Sequence, residues 1–152
     1  MIVCGLVDAR LQMARKLGAD EVIQVRDADP VARVRELTNG GADVVIEAVG
    51  LPQTWEQALR MSRNGGTILE FGGCPPGTRI SVDTEFLHYG ERTLIGVFHT
   101  RPAYFVEALR LIASRMVEVQ PLITRKMSLE EVNDAFRILT TTKKALKIAI
   151  VP

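Results

Sequence analysis

Short runs of Val, Ile and Leu alternate along this chain with amphipathic stretches, and that alternation constrains the fold more than any other feature. MIVCGLV, EVIQV, DVVIEAVG, TILEFGG and TLIGVF are short, apolar and rich in β-branched residues. Runs of that kind read as buried strands of a mostly parallel sheet, and the segments between them as crossover helices. The fold class expected is therefore α/β, with helices on both faces of the sheet.

The helix signals are local. A helix over 8–17 places Leu11, Ala14 and Leu17 on one face, with Gly18 standing where a C-terminal cap favours positive φ. Asp29 and Pro30 make a cap and a pre-set first turn, and that helix runs through Val31, Val34 and Leu37 to the stop at Asn39, Gly40 and Gly41. DVVIEAVG reads as the most strongly buried strand. Pro52 opens a helix through Trp55, Ala58 and Leu59, expected to end at Asn64, Gly65 and Gly66. A Pro/Gly loop, CPPGTRISVD, and a short helix near Phe86 precede TLIGVF.

From about Thr100 the pattern becomes an α+β tail: a helix through Phe105, Leu109, Ile112 and Met116, an extended PLITRKM, a second helix and a last strand, ALKIAIVP. Ser128 and Glu131 form a capping box for the second helix, whose inner stripe is expected at Leu129, Val132, Phe136 and Leu139.

Charge and cysteine content narrow the partners. A formal net charge of +1 offers no electrostatic footprint for nucleic acid or an anionic membrane. Arg33, Arg35, Arg60 and Arg63 stand among acids and apolar residues at helical spacing, as solvated helix faces do. Cys4 and Cys74 make neither a disulfide framework nor a CxxC zinc signature, so a reduced, cytoplasmic setting is expected. No run approaches the roughly 18 apolar residues of a membrane span.

RLQMARKLGADEVI, GADVVIEAVG, GGTILEFGG, TLIGVFHT, LITRKMSLEEVNDAFRIL and LKIAIVP resemble, in order and spacing, the C-terminal half of the medium-chain, zinc-dependent alcohol and polyol dehydrogenases. Each phrase alone is common among α/β proteins; six in sequence carry the likeness. The resemblance implies a Rossmann-like NAD(P)-binding domain over 1–100, incomplete at its N-terminus. It implies further that 101–152 complete a separate catalytic domain. Relative to the family pattern, the chain begins at the second strand, so the first strand, its G-x-G-x-x-G phosphate turn and the N-terminal catalytic domain fall outside it. EFGGCPPG is glycine-rich but opens no well-marked helix, and reads as a loop beside the cofactor.

The resemblance also places cofactor contacts. Gly5 stands where NAD-dependent members carry an acid for the adenosine ribose. Its missing charge leans to NADP over NAD, with Arg10 at a basic position near that ribose. Val49 and Gly50 match the adenine and ribose side. Phe71, Gly72 and Gly73 match a segment whose backbone bonds the nicotinamide amide, and Val97 to His99 a second one. Lys147 matches a basic residue that reaches the pyrophosphate.

In that family hydride passes from an alcohol carbon to the nicotinamide, and zinc polarises the alcohol oxygen. None of the family's zinc ligands matches a residue here, and Cys4, Cys74, His88 and His99 fit no ligand spacing, so no catalytic residue and no metal ligand is assigned. Two readings follow: a dehydrogenase region inactive by itself, or a non-catalytic nucleotide-binding or oligomerising module. In the doubly wound order 3-2-1-4-5-6 the absent first strand is central. Two strands would then lose their shared partner, with three remedies: MIVCGLV slides across to pair with DVVIEAV, another chain inserts a strand, or the outer pair docks elsewhere; a homo-oligomer whose sheet near residues 1–7 departs from the family's order is expected.

Overall fold

The expected alternation is present in the computed structural model, which describes residues 1–142 and 145–152. Its first part reads β1 (Ile2–Gly5), α1 (Asp8–Lys16), β2 (Glu21–Gln24), α2 (Pro30–Leu37), β3 (Ala42–Glu47), α3 (Pro52–Met61), β4 (Ser62–Glu70), α4 (Thr84–His88) and β5 (Thr93–Gly96). The remainder supplies α5 (Pro102–Ala113), β6 (Ile123–Ser128), α6 (Val132–Arg137) and β7 (Lys147–Val151). β1 pairs with β2; β3, β4 and β5 form a parallel sheet in that order; β6 and β7 form a parallel pair. Two compact units result, Ile23–His99 and the combination of Met1–Val22 with Thr100–Pro152.

Within Ile23–His99, Asp29 accepts a hydrogen bond from the Val31 N–H at 2.9 Å, and Pro30 occupies the first turn of α2. That is the cap the sequence promised. α3 packs on β3 and β4, where Ala58 and Leu59 meet the fully buried Ile68, surrounded by Val45, Ile80, Val82 and Phe86. Burying an isoleucine in this way stabilises by about 2 kcal/mol. Strand alternation places Gly66, Ile68 and Glu70 of β4 on the same covered face.

The structure departs from expectation at three points. DVVIEAVG is not the most buried strand: Val44 and Ile46 are exposed. Only the face toward α3 is covered, and among the described residues β3 has a strand along one edge alone. β1 pairs with β2 in a sheet separate from that of β3, so of the three remedies the slide of MIVCGLV against DVVIEAV is not the one seen. Nor does α3 run on to Asn64. It stops at Met61 because the Ser62 hydroxyl donates to the Leu59 carbonyl at 2.8 Å, closing the last turn, and Ser62 itself turns extended. β4 therefore begins before the Asn-Gly-Gly triplet, with a register shift between Ala42 and Val44 that absorbs the extra residues.

In the other unit, Leu11 is buried beneath α1, Gly18 takes φ +101°, and the Ala19 N–H donates to the Ala14 carbonyl at 2.9 Å, as a C-terminal cap requires. The Ser128 N–H donates to Glu131 Oε2 at 2.9 Å, so the capping box forms. The stripe behind it differs from expectation. Ala135 is buried and Val132 half-buried, whereas Leu129, Phe136 and Leu139 are exposed, so the covered stripe runs through Val132 and Ala135. α5 likewise exposes Phe105, Leu109 and Ile112.

Candidate functional site

β3, β4 and β5 end side by side, since Glu47 is the register partner of Glu70, and Glu70 of Gly96. The carboxyl ends of parallel strands are where open α/β sheets take ligands. The chain leaves each end through an exposed apolar residue: Val49 is 66% exposed, Phe71 62% and Val97 40%. Backbone bonds tie these exits together. The Phe71 and Gly72 N–H groups both donate to the Glu47 carbonyl at 2.9 Å, and the Val97 N–H donates to the Glu70 carbonyl at 3.3 Å.

The Glu47 side chain organises the floor beneath them. Only 4% exposed, its carboxylate accepts from the Val49 N–H at 2.7 Å, the Gly50 N–H at 3.0 Å and the Thr54 hydroxyl at 2.7 Å. It thus holds both the turn after β3 and the first residues of α3. Two glycines make the packing possible. A Cβ on Gly50, at φ +81°, would lie 2.5 Å from the Gly73 carbonyl oxygen, and one on Gly72 would lie 2.5 Å from Glu47 Oε2 and 2.8 Å from the Val49 nitrogen. The indole N–H of Trp55 donates to the Gly72 carbonyl at 2.8 Å, linking α3 to the exit from β4.

Beside Glu47 lies a second acid. Glu70 is 2% exposed, and neither carboxyl oxygen has a hydrogen-bond partner among the described residues. Burial, and then the negative charge of Glu47, push its carboxyl up to about 7. The folded state therefore binds this proton more tightly than the unfolded chain does. The stability it contributes is present below about 4.5 and is lost as pH rises through about 7. Desolvation and the same two acids also push the Cys74 thiol up, and burial pushes Cys4 up, so neither cysteine is an activated thiolate.

The structure brings Val49, Gly50, Phe71, Gly72, Gly73 and Val97 to these strand ends. His99 follows, exposed, at φ +65° with its ring against Phe98. Gly5, Arg10 and Lys147 belong to the other unit. There Gly5 ends β1, with the Leu11 side chain 3.0 Å from where a Cβ would stand; Arg10 is exposed on α1, and Lys147 is exposed at the start of β7. Sequence reasoning passed over Glu47, Glu70 and Trp55. The available signal was a pair of apolar strands that each place a Glu shortly before a glycine.

The model of the family described as zinc-binding dehydrogenase matches residues 1–114. The chain belongs to that family. It is 32% identical to sorbitol dehydrogenase of Bacillus subtilis (strain 168), over all of this chain and 43% of that protein. It is 34% identical to L-threonine 3-dehydrogenase of Symbiobacterium thermophilum over 94% of this chain and 41% of the relative. Among solved structures, benzyl alcohol dehydrogenase from Acinetobacter calcoaceticus superposes with a TM-score of 0.89 at 30% identity, over 98% of this chain and 41% of that one. A protein assigned as a zinc-binding dehydrogenase from Sinorhizobium meliloti 1021, bound to NADP, gives 0.88 at 25% identity, over 99% and 44%.

The chain thus has the Rossmann-like α/β fold of dehydrogenase cofactor domains and spans about two-fifths of the length of these relatives. The family's metal does not fit the described residues. No group of three or more His, Cys, Asp and Glu side chains among them is arranged to hold an ion. No helix among them is long and apolar enough to cross a membrane.

Proposed function

We propose that this zinc-binding dehydrogenase chain is the dinucleotide side of an NAD(P)-dependent alcohol or polyol dehydrogenase, with NADP favoured over NAD. The alignment of three parallel strand ends, each leaving through an exposed apolar residue beside tightly packed backbone, is the observation that carries this reading. Bound there, the nicotinamide would take hydride from an alcohol carbon. The chain's own part is positional: Val49 and Gly50 for the adenosine half, Phe71, Gly72, Gly73 and Val97 to His99 for the nicotinamide, with Gly5, Arg10 and Lys147 for ribose and phosphates. Binding without turnover by these residues alone is part of the proposal, in keeping with the finding that no group of three or more His, Cys, Asp and Glu side chains among the described residues is arranged to hold an ion. The free cysteines suit a reducing cytoplasm.

Fluorescence titration of the chain with NADPH and NADH tests the reading. NADPH binds more tightly, and Arg10→Ala weakens it by about tenfold while leaving NADH unchanged, since an arginine–phosphate pair of this kind contributes on the order of 1.4 kcal/mol. No alcohol reduces NADP with or without added zinc. Equal affinities, or an unaltered ratio in Arg10→Ala, would refute the preference; zinc-dependent turnover would refute the inactivity.

Self-association is proposed through β5, an edge strand whose Leu94 and Ile95 are exposed. Sedimentation at micromolar concentration is expected to show a dimer, and Ile95→Lys to shift it toward monomer. A monomeric chain would sink this assignment.

A further inference from the structure

The mechanism proposed above makes no use of Glu70, yet an unpartnered carboxyl buried to this degree is costly unless it carries a proton or serves a purpose. Glu70 and Glu47 are register partners on adjacent parallel strands, so their side chains leave the sheet on one face. The two acids are unequal. Glu47 has three donors, and Glu70 has none. A proton on the pair therefore belongs to Glu70, while the charge rests on Glu47, where N–H and O–H groups stabilise it.

We propose that Glu47 and Glu70 act as a one-proton latch, fixing residues 48–51 and 71–73 while Glu70 is protonated and loosening both when it ionises. This inference does not rest on the dinucleotide reading, although its output falls on the same segments. When Glu70 gives its proton to solvent, a second negative charge appears against Glu47 with no cation to offset it. β3 contributes only Glu47 here, and the segment after β4 only the neutral Cys74 thiol. β5 has no titratable side chain. On α3, Glu56 is engaged by the Ser81 N–H, Arg60 is exposed, and Ile80, Val82 and Phe86 on the same face are apolar.

Repulsion between two strand-anchored acids is relieved most easily where the chain leaves the sheet. Glu47 is the acid with something to release: Val49, Gly50 and Thr54. Any shift of its carboxylate is passed on sterically, because Gly72 sits against Glu47 Oε2 and the Val49 nitrogen, and Gly50 against the Gly73 carbonyl. Trp55, the one tryptophan of the chain, is bonded to the Gly72 carbonyl and so reports the state of the latch.

The test is Trp55 emission of the full chain followed from about pH 5.5 to about pH 8.5, across the range in which a carboxyl raised by burial titrates. A single transition centred near 7 is expected, lost in both Glu70→Gln and Glu70→Leu, the second variant serving if the first folds poorly. It should persist when His88 and His99, the chain's two histidines, are both replaced by Gln. The urea midpoint of the unaltered chain should fall as pH rises toward about 7 and level off above it, and stay level throughout in the Glu70 variants. A flat emission profile, a transition that survives loss of Glu70, or one abolished by the histidine replacements would overturn the proposal.

Discussion

Gly72→Ala is expected to destabilise the unit Ile23–His99 by about 2 to 3 kcal/mol, while Gly73→Ala, one residue on, stays within about 0.5 kcal/mol. The backbone explains the contrast. Neither residue has positive φ, so the difference is purely one of space. A Cβ on Gly72 would stand 2.5 Å from Glu47 Oε2 and 2.8 Å from the Val49 nitrogen, whereas one on Gly73 would meet nothing within 4 Å. The atoms in the way at Gly72 include main chain, held by the Glu47 carboxylate, which cannot swing aside as a long side chain would. Relief requires the turn after β3 to move, and with it the Phe71 and Gly72 bonds to the Glu47 carbonyl. Urea denaturation followed by Trp55 emission measures both variants; equal costs would show that the two strand exits are not interlocked.

Glu47→Ala should lower stability by about 2 kcal/mol, because it strands the buried Gly50 N–H at about 1 to 3 kcal/mol, while the part-buried Val49 N–H costs less. The Thr54 hydroxyl suffers less, having the Leu51 carbonyl at 2.9 Å as another acceptor. Glu47→Gln keeps one acceptor oxygen but sets an amide N–H₂ among donors, so it should recover about half the loss. It also removes the charge that helps hold the Glu70 proton, which moves the Glu70 transition downward. Denaturation well below pH 7 compares the variants with Glu70 protonated in the folded state of each. A loss in Glu47→Ala below about 1 kcal/mol, or a Gln variant no better than Ala, would remove Glu47 from its organising place.

Much of the architecture was legible before any coordinates. Asp29 and Pro30 start α2, Gly18 caps α1 and Ser128 with Glu131 forms its box, because each of those devices operates within a few residues and depends on side-chain chemistry and φ alone. The order of strands and helices followed from apolar periodicity, and six phrases in sequence carried the family. The resemblance singled out Val49, Gly50, Phe71, Gly72, Gly73 and Val97 as cofactor contacts, a role that stays a proposal; the structure puts these residues at neighbouring strand ends.

The inferences that failed are ones that needed to know what lies across from a residue. Val44 and Ile46 look like core in DVVIEAVG and are exposed, because apolar composition does not say whether a sheet face has a helix on it. Phe136 and Leu139 share an apolar stripe with Val132 in the sequence, yet they are exposed while Ala135 is buried, because periodicity does not say which part of a stripe meets a neighbour. Asn64 to Gly66 resemble a helix stop, yet the Ser62 hydroxyl had already closed the last turn.

The acid pair shows the division most sharply. That Glu47 and Glu70 each stand near the end of an apolar strand is a property of the sequence by itself, as are the glycines that follow them. That they face one another, one saturated with donors and the other with none, was decided by the register of β3 on β4, which depends on how α3 packs in crossing between them. Local hydrogen bonds and dihedral preferences act over one or two turns of chain. Register is set by the burial of Ala58 and Leu59 on Ile68, a contact between elements that only the folded chain brings together.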